Sequence, residues 1–131
     1  MGATATTILV GATITPTGGT NQNFTPDGVT VQNGLHLADA GEPNYIVRHS
    51  LTLKTRNPAL VNGVYGKGKR YATLVQPIVL ASGLTSFNVV RIEVEVHPEM
   101  ASADYTDMLK KGAQLLIDSD LTTFWSAGSL A

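Results

Sequence analysis

The sequence predicts an α+β fold, with an antiparallel sheet built first and two helices added at the C-terminal end. Three observations carry this prediction. Residues 89–97 alternate strictly: Val90, Ile92, Val94 and Val96 fall on one side, Arg91, Glu93, Glu95 and His97 on the other. That period of two is the pattern of a strand in a half-buried sheet. Further on, Tyr105, Met108, Leu109, Gly112, Leu115 and Leu116 recur at helical spacing as one apolar stripe. Before residue 89, turn dipeptides cut the chain into strand-length pieces. Strands first and helices after place the helices together on one side of the sheet.

Taken in order, Thr-Thr-Ile-Leu-Val-Gly-Ala over 6–12 reads as a strand. Pro16 and Gly18-Gly19 turn it, and 20–24 returns, so an N-terminal β-hairpin is expected over about 6–25. Pro26-Asp27-Gly28 and Asn33-Gly34 mark further turns, since Asn and Gly both tolerate positive φ. Residues 35–38 form a short third strand, stopped by Gly41 and Pro43. Residues 45–55 form a fourth, with Val47, His49, Leu51 and Leu53 on one face and Arg48, Ser50, Thr52 and Lys54 on the other. Residues 56–69 read as a loop whose glycine-spaced Lys67 and Lys69 suggest a mobile basic arm. The fifth strand covers 70–81, where Pro77 argues for a bulge or a local edge. Residues 82–86 connect it tightly to the sixth, and the sheet spans 35–97. Ser102 is placed as the cap of the first helix, with Asp104 and Asp107 in its first turns, where the helix dipole favours acids. Asp118-Ser119-Asp120 ends that helix and caps a second over 121–126, so the helices occupy 102–127.

With 131 residues, 43% of them hydrophobic and 15% charged, the chain is long enough and apolar enough for one folded domain over 1–131. There is no cysteine, which excludes disulfides and thiolate metal sites. No basic stretch leads into a long apolar run at the N-terminus, so no signal peptide is expected. No apolar run approaches the ~18 residues of a membrane span, so no membrane partner is expected either. The net charge of −1 conceals a segregation. From residue 43 to 92 there is no Asp or Glu, while Arg48, Lys54, Arg56, Lys67, Lys69, Arg70 and Arg91 all lie there. All 10 acids flank that basic stretch. Such asymmetry points to a polyanionic partner.

Catalytic signals are weak. The glycine-rich stretch 63–69 lacks the Walker spacing and a following Ser/Thr-led helix. His36, His49 and His97 fall on separate strands, so no metal or cofactor is expected. Glu93 and Glu95 share a face and might be read as a carboxylate pair, but a solvated strand face explains them more simply. No nucleophile elbow is present. The polar face that mixes Arg48, Ser50, Thr52 and Lys54 with Val89, Arg91, Glu93 and Glu95 is more informative. Its cations suit phosphates, its hydroxyls and carboxylates suit base edges, and Tyr71 offers a stacking platform for an unpaired base.

Pro26-Asp27-Gly28-Val29, Asn33-Gly34, Ala40-Gly41 and Leu115-Leu116, in that order and spacing, resemble the coat proteins of the single-stranded RNA bacteriophages, most of all the Qβ-like branch. The order of hairpin, strands and two helices matches over nearly the whole length. The resemblance implies an intertwined homodimer with one sheet continuous across both subunits and helices crossing over the partner. It implies an icosahedral shell of T=3 type, found in the virion and assembled in the cytoplasm of a bacterial host. It implies single-stranded genomic RNA as partner, with an RNA hairpin bound as a translational repressor. Carried over by strand position, the RNA-binding residues are Arg48, Ser50, Thr52, Lys54, Tyr71, Thr73, Val89, Arg91 and Glu93. On the fifth strand the alternative register would turn Arg70, Ala72 and Gln76 to that face instead. The chain also departs from the family. Its long loop is 56–69 and not the connection before the last strand, the loop cysteines of the Qβ-like branch are absent, and Val89 and Arg91 replace polar or aromatic residues. Two other readings stand beside a coat protein: a dimeric RNA-binding regulator that forms no shell, and a small α+β enzyme using His49, Glu93 and His97.

Overall fold

The computed structural model describes residues 6–14 and 16–128. Two compact units are present: Gly19–Pro98, and Met1–Gly18 together with Glu99–Ala131.

The first unit is a five-stranded antiparallel sheet. Its strands are β1 (Phe24–Pro26), β2 (Gly34–Asp39), β3 (Ser50–Arg56), β6 (Gly68–Val79) and β7 (Thr85–Val96), in the spatial order β1-β2-β3-β6-β7. Between β3 and β6, β4 (Leu60–Val61) and β5 (Val64–Tyr65) pair only with each other. The two long strands β6 and β7 pair along their whole length, from Gly68↔Val96 to Val79↔Thr85. The alternation of residues 89–97 is thus realised in β7, which begins four residues earlier than the pattern itself. Pro77 sits where β6 has lost one neighbour, because β3 begins at Ser50 opposite Val75. A residue without an N–H is tolerated at such a local edge.

Turn chemistry positions the sheet. Asn33 (φ 56°) leads into Gly34, whose amide donates to the Val31 carbonyl at 3.3 Å. Gly34 lies so close to β3 that a Cβ there would collide with the Leu53 carbonyl oxygen. Asp27 Oδ1 accepts from the Val29 amide at 3.1 Å, the Asx-turn expected of Asp in a turn.

The second unit holds α1 (Ser102–Ile117), a 3₁₀ turn over Ser119–Leu121 and α2 (Thr122–Ala127). Asp118 accepts from the Asp120 amide at 2.8 Å and so starts the 3₁₀ turn. Gly128, at φ 70°, closes α2 with its amide on the Phe124 carbonyl at 2.8 Å. Trp125 Nε1 donates to the Leu115 carbonyl, also at 2.8 Å, and stacks edge-on to Phe124 with ring centroids 4.9 Å apart. Among the described residues no helix is long and apolar enough to cross a membrane.

Four expectations are corrected. Residues 6–14 and 20–23 form no strand, so the N-terminal hairpin is absent among the described residues; β1 pairs with β2 instead. The stretch 6–14 is held by α1. Gln114 Oε1 accepts from the Leu9 amide and Gln114 Nε2 donates to the Leu9 carbonyl, both at 2.8 Å, and Asp107 Oδ1 accepts from the Gly11 amide at 2.9 Å. The fourth strand starts at Ser50 and not at Tyr45, because Asn44 and Glu42 side chains cap a turn over 44–47. The loop 56–69 is not a bare arm but carries the β4–β5 hairpin. Ser102 does not cap α1: it lies inside the first turn, and Ala101 takes the cap position without a side-chain bond.

The described residues hold almost no core. Ala38, 6% exposed, is the one buried hydrophobic residue among them, and no large side chain is fully buried.

Candidate functional site

Residues directly opposed across an antiparallel pair project to the same face. Three rows follow from the register. Lys54, Tyr71 and Glu93 form one; Thr52, Thr73 and Arg91 the next, extended by His36 on β2; Ser50, Val75 and Val89 the third, extended by Ala38. All eight strand-borne residues of the expected set therefore share one polar face. The fifth-strand register is resolved: Tyr71 and Thr73 lie on this face, whereas Arg70, Ala72 and Gln76 lie on the other. Arg48 lies just outside β3. It lines the same end of the face beside Ser50, His36, Val75 and Phe87. Its Nε donates to the Glu42 carbonyl at 2.8 Å and Nη2 to the Pro43 carbonyl at 3.1 Å, so its first task is to hold that loop.

A fourth row, Arg56, Lys69 and Glu95, was missed in the expected set. The alternation Ser50-Thr52-Lys54 extends naturally to Arg56, and Lys69 lies two residues before Tyr71; the flanking glycines hid the start of β6. Lys69 organises the electrostatics here. Its Nζ lies 2.9 Å from Glu95 Oε1 and 3.3 Å from Glu93 Oε1. Donating hydrogen bonds to Glu95 and then to Glu93 raises the Lys69 pKa, and the bond from Lys69 holds the Glu95 carboxyl below its ordinary value. The two acids of β7 are thereby neutralised in part, while Lys54, Arg56 and Arg91 enter no ion pair among the described residues. At the β2 end, His36 Nδ1 lies 2.9 Å from Asp27, whose carboxyl is held low chiefly by that bond.

The opposite face is mainly apolar, although Arg70 and Gln76 lie on it as well. Leu35, Leu53, Ala72, Ile92 and Val94 line a trough of about 410 Å³ on it. Leu37, Leu51, Leu74 and Val90 continue the same face by register. On α1, Leu109, Leu115 and Leu116 are exposed as well.

No catalytic arrangement emerges from His49, Glu93 and His97. His49 Nδ1 lies 3.1 Å from Gln22 Nε2, while Glu93 is engaged by Lys69 on the polar face. Among the described residues no group of three His, Asp or Glu side chains is placed to hold a metal.

A sheet with two-sided chemistry, and almost no core among the described residues, define a class of protein, a subunit built for assembly. The comparisons with known proteins give that class its family. The chain is similar to the virus-like particle of bacteriophage GQ-907, with 44% identity and a TM-score of 0.90 over 95% of this chain and 96% of that one. The virus-like particles of Wenzhou levi-like virus 4 (17% identity, TM-score 0.68, 95% of this chain and 86% of that one) and bacteriophage ESE058 (16% identity, TM-score 0.68, 97% of both) share the fold. No family model and no curated protein matches the chain. The chain belongs to the coat proteins of the levi-like single-stranded RNA phages, and it is a capsid subunit that assembles into a shell. A regulator that forms no shell is set aside by that membership.

Proposed function

We propose that this capsid subunit is a homodimer before it is a shell, and that its polar sheet face packages single-stranded genomic RNA. The dimer reading rests on β7. It is an edge strand of 12 residues with a neighbour on one side only, and a long open edge invites pairing with another chain. Two β7 strands meeting across a two-fold axis give one continuous sheet. The apolar trough on one subunit and the α1 stripe on the other then cover each other, and the two compact units work as one coat-protein domain over 1–131.

The observation that carries the RNA reading is the register. It gathers Lys54 and Arg91 with the Thr52 and Thr73 hydroxyls and Tyr71 on one face, while Lys69 offsets the two glutamates. Cations supply the attraction for phosphate, and Tyr71 supplies a ring on which an unpaired base can stack. The same face serves for binding an RNA hairpin as a translational repressor. Particles of T=3 type, assembled in the host cytoplasm and carried in the virion, complete the proposal. The role is structural and not catalytic.

The test is RNA content and salt dependence. In the Lys54→Ala/Arg91→Ala variant, particles should hold less RNA, and the slope of log affinity against log salt for single-stranded RNA should fall by about 1.4. Unchanged RNA content together with an unchanged slope would remove this face from RNA packaging.

A further inference from the structure

The hairpin inserted between β3 and β6 has no part in the polar face, and its chemistry is unusual for a surface loop. Leu60 pairs with Tyr65 and Val61 with Val64. Asn62 (φ 52°) and Gly63 (φ 77°) supply the two left-handed residues of a two-residue turn. The Gly66 amide donates to the Ala59 carbonyl at 2.8 Å and closes the base. All four strand residues are open to solvent: Leu60 59%, Val61 62%, Val64 64% and Tyr65 53%. A ribbon of two strands is marginal in water without a layer to pack on. Here the turn is well specified and both arms are apolar, so the sequence builds a defined tip that needs a cover.

RNA is not that cover. From residue 57 to 66 there is no charged residue, and the attraction of phosphate depends on cations. A shell of identical subunits offers another cover, a second copy of this chain. A complementary patch lies at the far end of the same strand. The β6–β7 turn exposes Val79, Leu80 and Leu84, and is tightened by the Leu80 amide on the Leu84 carbonyl at 2.7 Å. The hairpin leaves β6 at Gly68 and the turn follows Val79, so the two patches stand roughly 40 Å apart along a strand of 12 residues. Patches at opposite ends of a subunit make head-to-tail contacts, and these form rings where the rotation between neighbours closes. A two-fold dimer contact cannot do this alone.

We propose that hairpin 60–65 of one subunit docks on turn 79–84 of a subunit in a neighbouring dimer, and that this apolar contact links dimers into the shell. The inference rests on the dimer reading above.

The test uses Val61→Thr/Val64→Thr, which keeps β-branched residues and the Asn-Gly turn while removing the apolar surface. Wild-type protein is sedimented beside it. The variant should remain dimeric and folded by circular dichroism while its particle yield falls at least tenfold. Wild-type particle yield would overturn the proposal, and so would a variant that no longer dimerises, since the hairpin would then serve the dimer or the fold. Wild-type protein that dissociates to monomers would instead refute the dimer reading. A second variant checks the docking partner. The chain has no cysteine, so Val61→Cys/Leu84→Cys introduces the only two thiols. Oxidised particles should give a ladder of linked chains longer than two on non-reducing gels. Products no longer than two chains would overturn the proposed pairing.

Discussion

Single residues set the charge of the sheet's polar face and how closely its strands approach one another. Lys69 is the decisive one on the polar face. Without it, Glu93 and Glu95 would stand as adjacent negative charges beside Arg91 and Tyr71; with it, both are bridged. Gly34 is decisive at the other end of the sheet, where β2 meets β3 and no Cβ fits beside the Leu53 carbonyl. Gly34→Ala should therefore cost about 1–3 kcal/mol of folding stability in denaturant unfolding, as overpacking does. A change within 0.5 kcal/mol would show that the β2–β3 pair shifts apart freely. Most of the residues on the polar face were legible in the sequence, since strict alternation over 48–54 and 89–95 needs no tertiary information. Lys69 was not, because Gly66 and Gly68 around the lysines give a loop signal. Pairing with Glu95 overrides that signal once β6 is extended back to Gly68.

At the scale of elements, the N-terminal segment shows how a strand pattern can be satisfied without a strand. Residues 6–12 carry β-branched and apolar residues, yet the backbone of Leu9 pairs with the side-chain amide of Gln114, which imitates a strand neighbour. Asp107 fixes the next turn of this segment through Gly11. Its carboxyl is held below the ordinary 3.8 by its bond to Lys111 and then by the Gly11 amide. A depressed carboxyl pKa stabilises the folded form fully above the ordinary value and loses that effect as pH falls through the lower folded value. Hydrogen exchange at the Gly11 amide should thus gain less protection from docking on α1 at pH 2 to 3 than at pH 6. In Asp107→Asn that pH dependence should shrink; an unaltered profile would show that Asp107 does not hold the segment. The α1 and α2 boundaries were readable from periodicity and from Asp118, whereas the role of Ser102 was not, since a serine one residue away from the cap position reads the same way.

At the scale of the whole molecule, the governing fact is how little core the described residues hold. Ala38, the one buried hydrophobic among the described residues, cannot offset the entropy of ordering them, and each large side chain buried on assembly adds roughly 1.5–3 kcal/mol. The unfolding midpoint should therefore rise with protein concentration, as it does when folding and association are one process. Leu116→Asp, which places a charge in the exposed stripe of α1, should abolish dimers and particles together in sedimentation. Normal particles from that variant would mean the stripe is not an interface.

By itself the sequence determined the α+β order, the division of β7 into an apolar and a charged side, the placing of basic charge in the central strands, and a resemblance to the RNA phage coat proteins. These are properties of neighbours in the chain, and periodicity reports them directly. Only the tertiary structure decided which rows align across β3, β6 and β7, that the N-terminal segment docks on α1 instead of forming a hairpin, and that loop 56–69 carries an apolar hairpin. The physical reason is that pairing between distant segments depends on hydrogen-bond partners and register, and a period of two specifies a face without naming the neighbour that lies beside it.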